Sequence, residues 1–135
     1  MVSMRQPIPR FTLLVLGACL AAFSARAADP ALQKYPDVVA AKVQARGAER
    51  FDFDVTVSSP YDTPQRYADA FRVLGRDGTV FGERILLHDH AGEQPFTRDL
   101  YGVTIPRGIR SVTVQARDQK HGYGGKTVEV ALPGR

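Results

Sequence analysis

Residues 51–57 read Phe-Asp-Phe-Asp-Val-Thr-Val, an unbroken alternation of apolar and polar side chains. A period of two gathers the four apolar side chains on one face of an extended strand, whereas a helix would scatter them around its axis. One face is therefore buried and the other wet, which is the pattern of an antiparallel sheet. The same period recurs. Residues 109–117 bury Val112, Val114 and Ala116, and residues 126–132 bury Val128, Val130 and Leu132. Residues 67–74, 79–87 and 96–105 complete the evident strands, with Gly102 expected to form a bulge. Turn signals separate them: two prolines within 58–66, the hairpin turn Gly75-Arg76-Asp77-Gly78, a loop at 88–95, Pro106-Arg107-Gly108, and a Gly-rich loop at 118–125. Residues 37–46 admit two readings. Asp37 and Gly47 would cap a short helix, but a strand with Val39, Ala41 and Val43 on one face fits better, because Gly47 then turns the chain straight into 51–57.

Ahead of these strands, Arg5 and Arg10 precede an apolar run from Phe11 to Phe23, followed by Ser24-Ala25-Arg26-Ala27. This layout predicts a secretory signal peptide over 1–27. The run is too short for a spanning helix, which needs about 20 residues, and no second apolar run follows. The expected location is periplasmic or secreted, with no membrane span. An alternative lies in Leu16-Gly17-Ala18-Cys19, which resembles the lipobox of bacterial lipoproteins and would make Cys19 a lipid anchor. The eight apolar residues between Arg10 and Cys19 are few for that role, and the Ala-Arg-Ala site closes the full run better.

Removing Arg5, Arg10 and Arg26 leaves 15 basic against 14 acidic residues, from 18 and 14 in the whole chain. That balance argues against nucleic acid as a partner, which would call for a basic face. Asp52, Asp54, Asp62 and Asp69 also alternate with Arg50, Arg66 and Arg72, which suggests a solvated surface of mixed sign. Cys19, Met1 and Met4 all lie in the leader, so the remainder has no disulfide, no thiol chemistry and no soft ligand for Cu(I). The absence of Asn removes any N-glycosylation acceptor.

Seven strands over about 100 residues predict an all-β fold, an antiparallel immunoglobulin-like or fibronectin-like β-sandwich over 37–133, preceded by a flexible arm at 28–36. The chain has neither the Cys pair nor the Trp of antibody domains, so this likeness is one of architecture. The stretches Tyr67-Ala68-Asp69-Ala70-Phe71, His90 to Arg98 and His121-Gly122-Tyr123-Gly124-Gly125 resemble small exported bacterial sandwich proteins of uncharacterised function. That resemblance covers roughly 39–133 and implies no activity.

Counting chain reversals locates a candidate site. Successive connections alternate between the two ends of a sandwich, so the long loops 58–66, 88–95 and 118–125 should share one end and the tight turns the other. Long loops on a rigid scaffold are where binding commonly sits. His88, His90 and His121, the three histidines of the chain, all fall on that end, together with Tyr61, Asp62, Glu93 and Tyr123. The leading expectation is an exported, non-enzymatic binding or accessory module whose ligand, a protein partner or a small molecule, meets Tyr61, Asp62, Glu93 and Tyr123. The alternative is a Zn²⁺ or Cu²⁺ site: His88 and His90 point to one side of an extended segment, and His121 supplies a third imidazole. Against both stands a structural role for these residues in holding the loops. No nucleophile elbow, P-loop or dinucleotide fingerprint is present, and Asp52 and Asp54 fit a solubilising outer face, so catalysis is not expected.

Overall fold

The computed structural model describes residues 2–5, 7–9 and 32–135. The core of the predicted leader, its cleavage site, Cys19 and the first part of the predicted arm lie outside the described residues. Seven strands follow in order: β1 (Asp37–Ala45), β2 (Arg50–Ser58), β3 (Ala68–Leu74), β4 (Val80–Ile85), β5 (Phe96–Thr104), β6 (Ser111–Asp118) and β7 (Gly122–Ala131). They form a three-stranded sheet, β1-β2-β5, and a four-stranded sheet, β4-β3-β6-β7, with every pairing antiparallel. This is an all-β sandwich. Hairpins join β1 to β2, β3 to β4 and β6 to β7, and the other three connections cross between sheets.

The alternation read from the sequence is the alternation that is buried. Phe51, Phe53, Val55 and Val57 of β2 face Phe71 and Val73 of β3 and Val112, Val114 and Ala116 of β6 in one core, with Phe96, Val103 and Ile105. Asp52, Asp54 and Thr56 stay on the outer face. Gly102 has a φ of 69° where the β2–β5 register slips, so the expected bulge forms, and its N–H donates to Asp52 Oδ1 at 2.8 Å.

Residues 37–45 form a strand rather than a helix, but its inward set differs from the simple alternation. A register shift between Val38 and Ala40 turns Val38, Ala41 and Val43 toward the core and leaves Val39 exposed. The larger correction concerns 118–125, expected to be a loop. β7 starts at Gly122 and pairs with 116–118 of β6, so the connection shrinks to 119–121. These glycines serve close approach. A Cβ on Gly124 would strike the Tyr35 ring, and one on Gly125 would strike the Pro36 carbonyl oxygen. The incoming segment thus lies directly on β7, with Lys126 N–H donating to Asp37 Oδ1 at 2.8 Å. The end of the predicted arm is accordingly docked: Pro36 is fully buried.

Strand direction sorts the connections into two poles. The loop pole collects 59–67, 86–95, 119–121 and the incoming residues 33–36. The turn pole collects 46–49, 75–79, 105–110 and the final residues 132–135.

Candidate functional site

At the loop pole the three connections touch, and the contacts are made by buried carboxylates. Asp62, on the loop between β2 and β3, accepts from Ala68 N–H at 3.0 Å through Oδ1 and from His90 N–H at 3.0 Å through Oδ2. It therefore ties its own loop to the one between β4 and β5. Asp118, fully buried at the end of β6, does the same for the third connection. Its Oδ1 accepts from the Tyr61 hydroxyl at 2.7 Å and lies 3.1 Å from Arg66 Nε, and its Oδ2 accepts from the N–H groups of Lys120 and His121, both at 2.9 Å. Arg66 lies over the Tyr61 ring at 4.0 Å and donates through Nη2 to the carbonyls of Gln33 and Lys34. Gln94 adds a further tie, accepting from Ser59 N–H at 2.7 Å and donating to the His90 carbonyl at 3.1 Å.

Burial by itself would raise the Asp118 carboxyl, but the Tyr61 hydroxyl, the two backbone N–H groups and Arg66 outweigh it and hold the group below the usual carboxylate value. Tyr61 moves the other way: burial, then its bond to Asp118, keeps the phenol protonated as a donor. This network ties the three connections together, with Arg66 Nε paired to Asp118 by charge but making no hydrogen bond of its own. It also engages the polar atoms of Tyr61 and Asp62 inside the protein, where both side chains are buried.

The other expected residues separate. Glu93 is exposed and forks onto Arg98, whose Nη1 and Nη2 donate at 3.2 and 3.0 Å. That pairing holds the Glu93 carboxyl below its ordinary value. Tyr123 leaves the pole altogether. Because β7 begins at Gly122, Tyr123 sits on the outer face of the four-stranded sheet, donating to Glu83, with the Arg72 guanidinium 3.6 Å above its ring and Arg117 at 5.7 Å. Burial, then Glu83, pushes its phenol pKa up.

The histidines divide two and one. His88 and His90 have ring centroids 4.7 Å apart, while His121 packs edge-on against Tyr35 at 6.3 Å. Among the described residues no three His, Cys, Asp or Glu side chains group to hold an ion. The three-imidazole arrangement expected for Zn²⁺ or Cu²⁺ is therefore not formed. The physical reason is that Asp118 holds 119–121 in a tight turn through the N–H groups of Lys120 and His121, and the His121 ring there packs on Tyr35. His90 is itself buried, stacked on Phe96 at 3.9 Å and 9°, and its Nδ1 has no partner. Burial, then the Arg98 charge, lowers its pKa and keeps it neutral.

What remains open is a cleft beside the pole, where the edge strands β4 and β5 of the two sheets face each other. It measures about 130 Å³ and is lined by Arg84, Ile85, Leu86, Leu87, His88 and Arg98 together with His90. Both arginines are already engaged: Arg84 bridges to the Asp99 carbonyl at 2.9 Å, and Arg98 holds Glu93. The accessible surface is mixed: Leu87, 83% exposed, and the half-exposed Ile85 supply its apolar part, edged by the exposed His88. Sequence reasoning missed Leu87 because the residue continues the period of the preceding strand, which actually ends at Ile85.

Residues of this chain align over 94 positions with a protein of Halomicrobium mukohataei named "Putative lipoprotein", at 37% identity. The match covers 70% of this chain and 46% of that protein, so the chain spans about half the length of its relative. No protein family profile matches the chain, and no solved structure matches it.

Proposed function

We propose that this chain is an exported, non-enzymatic accessory module, immunoglobulin-like in architecture, that docks a protein partner at the β4–β5 cleft. Leu87 and Ile85 provide the apolar contact and His88 its polar edge. The observation that carries the reading is Leu87, 83% exposed yet displayed on a rigid base: Leu86 beneath it is buried and bonded to the Asp69 carbonyl, and His90 beyond it is stacked on Phe96. Leu87 and Ile85 are exposed along the same cleft, and adjoining exposed apolar side chains on a fixed segment are the kind of feature that marks an interaction site. Export is supported by the leader pattern and by the name of the relative. A non-catalytic role is supported by the way Asp62 and Asp118 are spent on backbone N–H groups, leaving neither to orient an imidazole.

Site-directed photo-crosslinking in the producing cell tests this. A photoreactive phenylalanine analogue at position 87 should trap one discrete adduct, and the same group at exposed position 127, on the far edge strand, should not. Equal adducts at both positions, or none at position 87, would reject the cleft as a docking site.

A further inference from the structure

The turn pole carries a charge pattern that the linear sequence hides. Arg46, Arg50, Arg76, Arg107, Arg110 and Arg135 all fall on it, against Glu49 and Asp77, with Asp52 and Glu129 on the adjoining strands. Two of these arginines are structural. Arg46 Nε is 2.6 Å from Asp52. The Arg135 guanidinium donates to four carbonyls, those of Pro106, Ile109, Ala48 and Ile105, at 2.6–3.1 Å. The others are loosely held or free. Arg107 reaches Glu49 only at 3.7 Å, and Arg76 reaches Glu129 only at 3.9 Å with the two side chains 88% and 64% exposed. Exposed pairs of that geometry contribute little. Arg50 and Arg110 have no carboxylate within salt-bridge distance among the described residues.

Between Arg76 and Arg110 lies a cavity of about 270 Å³, roughly twice the volume of the β4–β5 cleft, lined also by Gly108, Ile109 and Ser111. Two arginines from different turns therefore line one concavity. A hydroxyl stands at its edge, and Gly108, with a φ of 96° and nothing within 4 Å of a Cβ, leaves its backbone unscreened. A guanidinium presents a planar fork of donors, and two forks with a hydroxyl match an oxyanion bearing three or four acceptor oxygens. Glu129 sits at the rim, accepting from Ser111 Oγ at 3.1 Å and facing Arg76. Its carboxylate thus reaches Arg76 on one wall and Ser111 on the other.

We propose that this cavity binds the phosphoryl group of an anionic ligand, with Arg76 and Arg110 as the two clamps, Ser111 as a third donor and Glu129 as the group that the ligand displaces. The proposal is independent of the β4–β5 cleft, which lies at the other end of the strands and whose arginines are already paired. A single cavity flanked by two cations suits one phosphoryl group rather than the repeating phosphates of a nucleic acid, which need an extended basic track.

Inorganic phosphate at low ionic strength, followed by backbone amide shifts, tests this. Saturable shifts are expected at residues 108–111, weakened about tenfold or more in an Arg76→Ala/Arg110→Ala double variant and strengthened in Glu129→Gln. Thermal melts of both variants should match the parent, so that loss of binding is not loss of fold. Cosedimentation with phosphatidylglycerol vesicles against phosphatidylcholine vesicles then separates the sources. Capture that depends on both arginines assigns a lipid headgroup, and no capture alongside phosphate binding assigns a soluble phosphate ester. Shifts spread over the whole surface, or shifts unchanged in the double variant, would overturn the site.

Discussion

The two poles of this sandwich hold similar residue types and use them in opposite ways. At the loop pole Asp62, Asp118, Arg66, Tyr61 and Gln94 are buried or half-buried and bond to one another or to the backbone. At the turn pole Arg50, Arg76, Arg107 and Arg110 stand in solvent with weak partners or none. Long connections cannot cross a sandwich end without burying backbone, and buried N–H groups require acceptors. The two long loops therefore consume their own polar side chains, whereas at the turn pole Arg135 alone serves four backbone carbonyls and Arg50, Arg76, Arg107 and Arg110 stay in solvent. Length of loop is thus a poor guide to which end of this molecule is available to bind.

The sharpest way to break this comparison is to remove the acid at the centre of the loop pole. Asp118→Ala strands Arg66, the Tyr61 hydroxyl and two backbone N–H groups in a buried place, and should lower the free energy of unfolding by about 3–5 kcal/mol in urea titrations. Arg76→Ala with Arg110→Ala at the turn pole should stay within about 0.5 kcal/mol in the same assay. Equal losses at the two poles would remove the contrast. A smaller effect, about 1–3 kcal/mol, is expected for Asp62→Ala, which leaves the N–H groups of Ala68 and His90 without acceptors.

The pH dependence of stability sharpens the comparison further. The Asp118 carboxyl is depressed in the fold, so as pH falls the unfolded chain takes up that proton first. Its contribution is complete above about pH 4 and is lost as pH drops through the lower folded value. His90 is depressed as well, and the unfolded imidazole protonates first below about pH 6.5. Stability should therefore begin to fall in that range, and His90→Phe should flatten the slope between pH 7 and 5 without altering the acid limb. Urea midpoints across pH 3–8 read both windows. The smallest effect concerns metal. With His121 apart from His88 and His90, Zn²⁺ or Cu²⁺ should leave the melting temperature of the protein unchanged, and a His88→Ala variant should behave like the parent.

Much of the fold could be read because single residues had only one sensible place. The alternation in β2 admits one burial pattern, Gly102 marks a register slip, and Asp77-Gly78 closes a hairpin; each appears in the structure. The start of β7 could not be read, because Gly122, Gly124 and Gly125 signal equally a flexible loop and a backbone pressed close to another chain segment. The Tyr35–Pro36 contact that decides between them is distant in sequence. The site was less legible still. His88, His90 and His121 share a pole as the reversal count implies, but the count carries no information on side-chain direction, and Asp118, which sets the position of His121, has no local signature. Charge misled for a related reason. Asp and Arg are mixed along the chain, yet successive turns are delivered to opposite ends, so mixing in sequence becomes sorting in space.

The described residues hold seven strands, an odd number, so six reversals leave Arg135 at the pole opposite Tyr35. With strands of nine or ten residues at about 3.3 Å each, entry near Tyr35 and departure at Arg135 lie some 30 Å apart. Head-to-tail copies of this body would extend as a rod instead of doubling back.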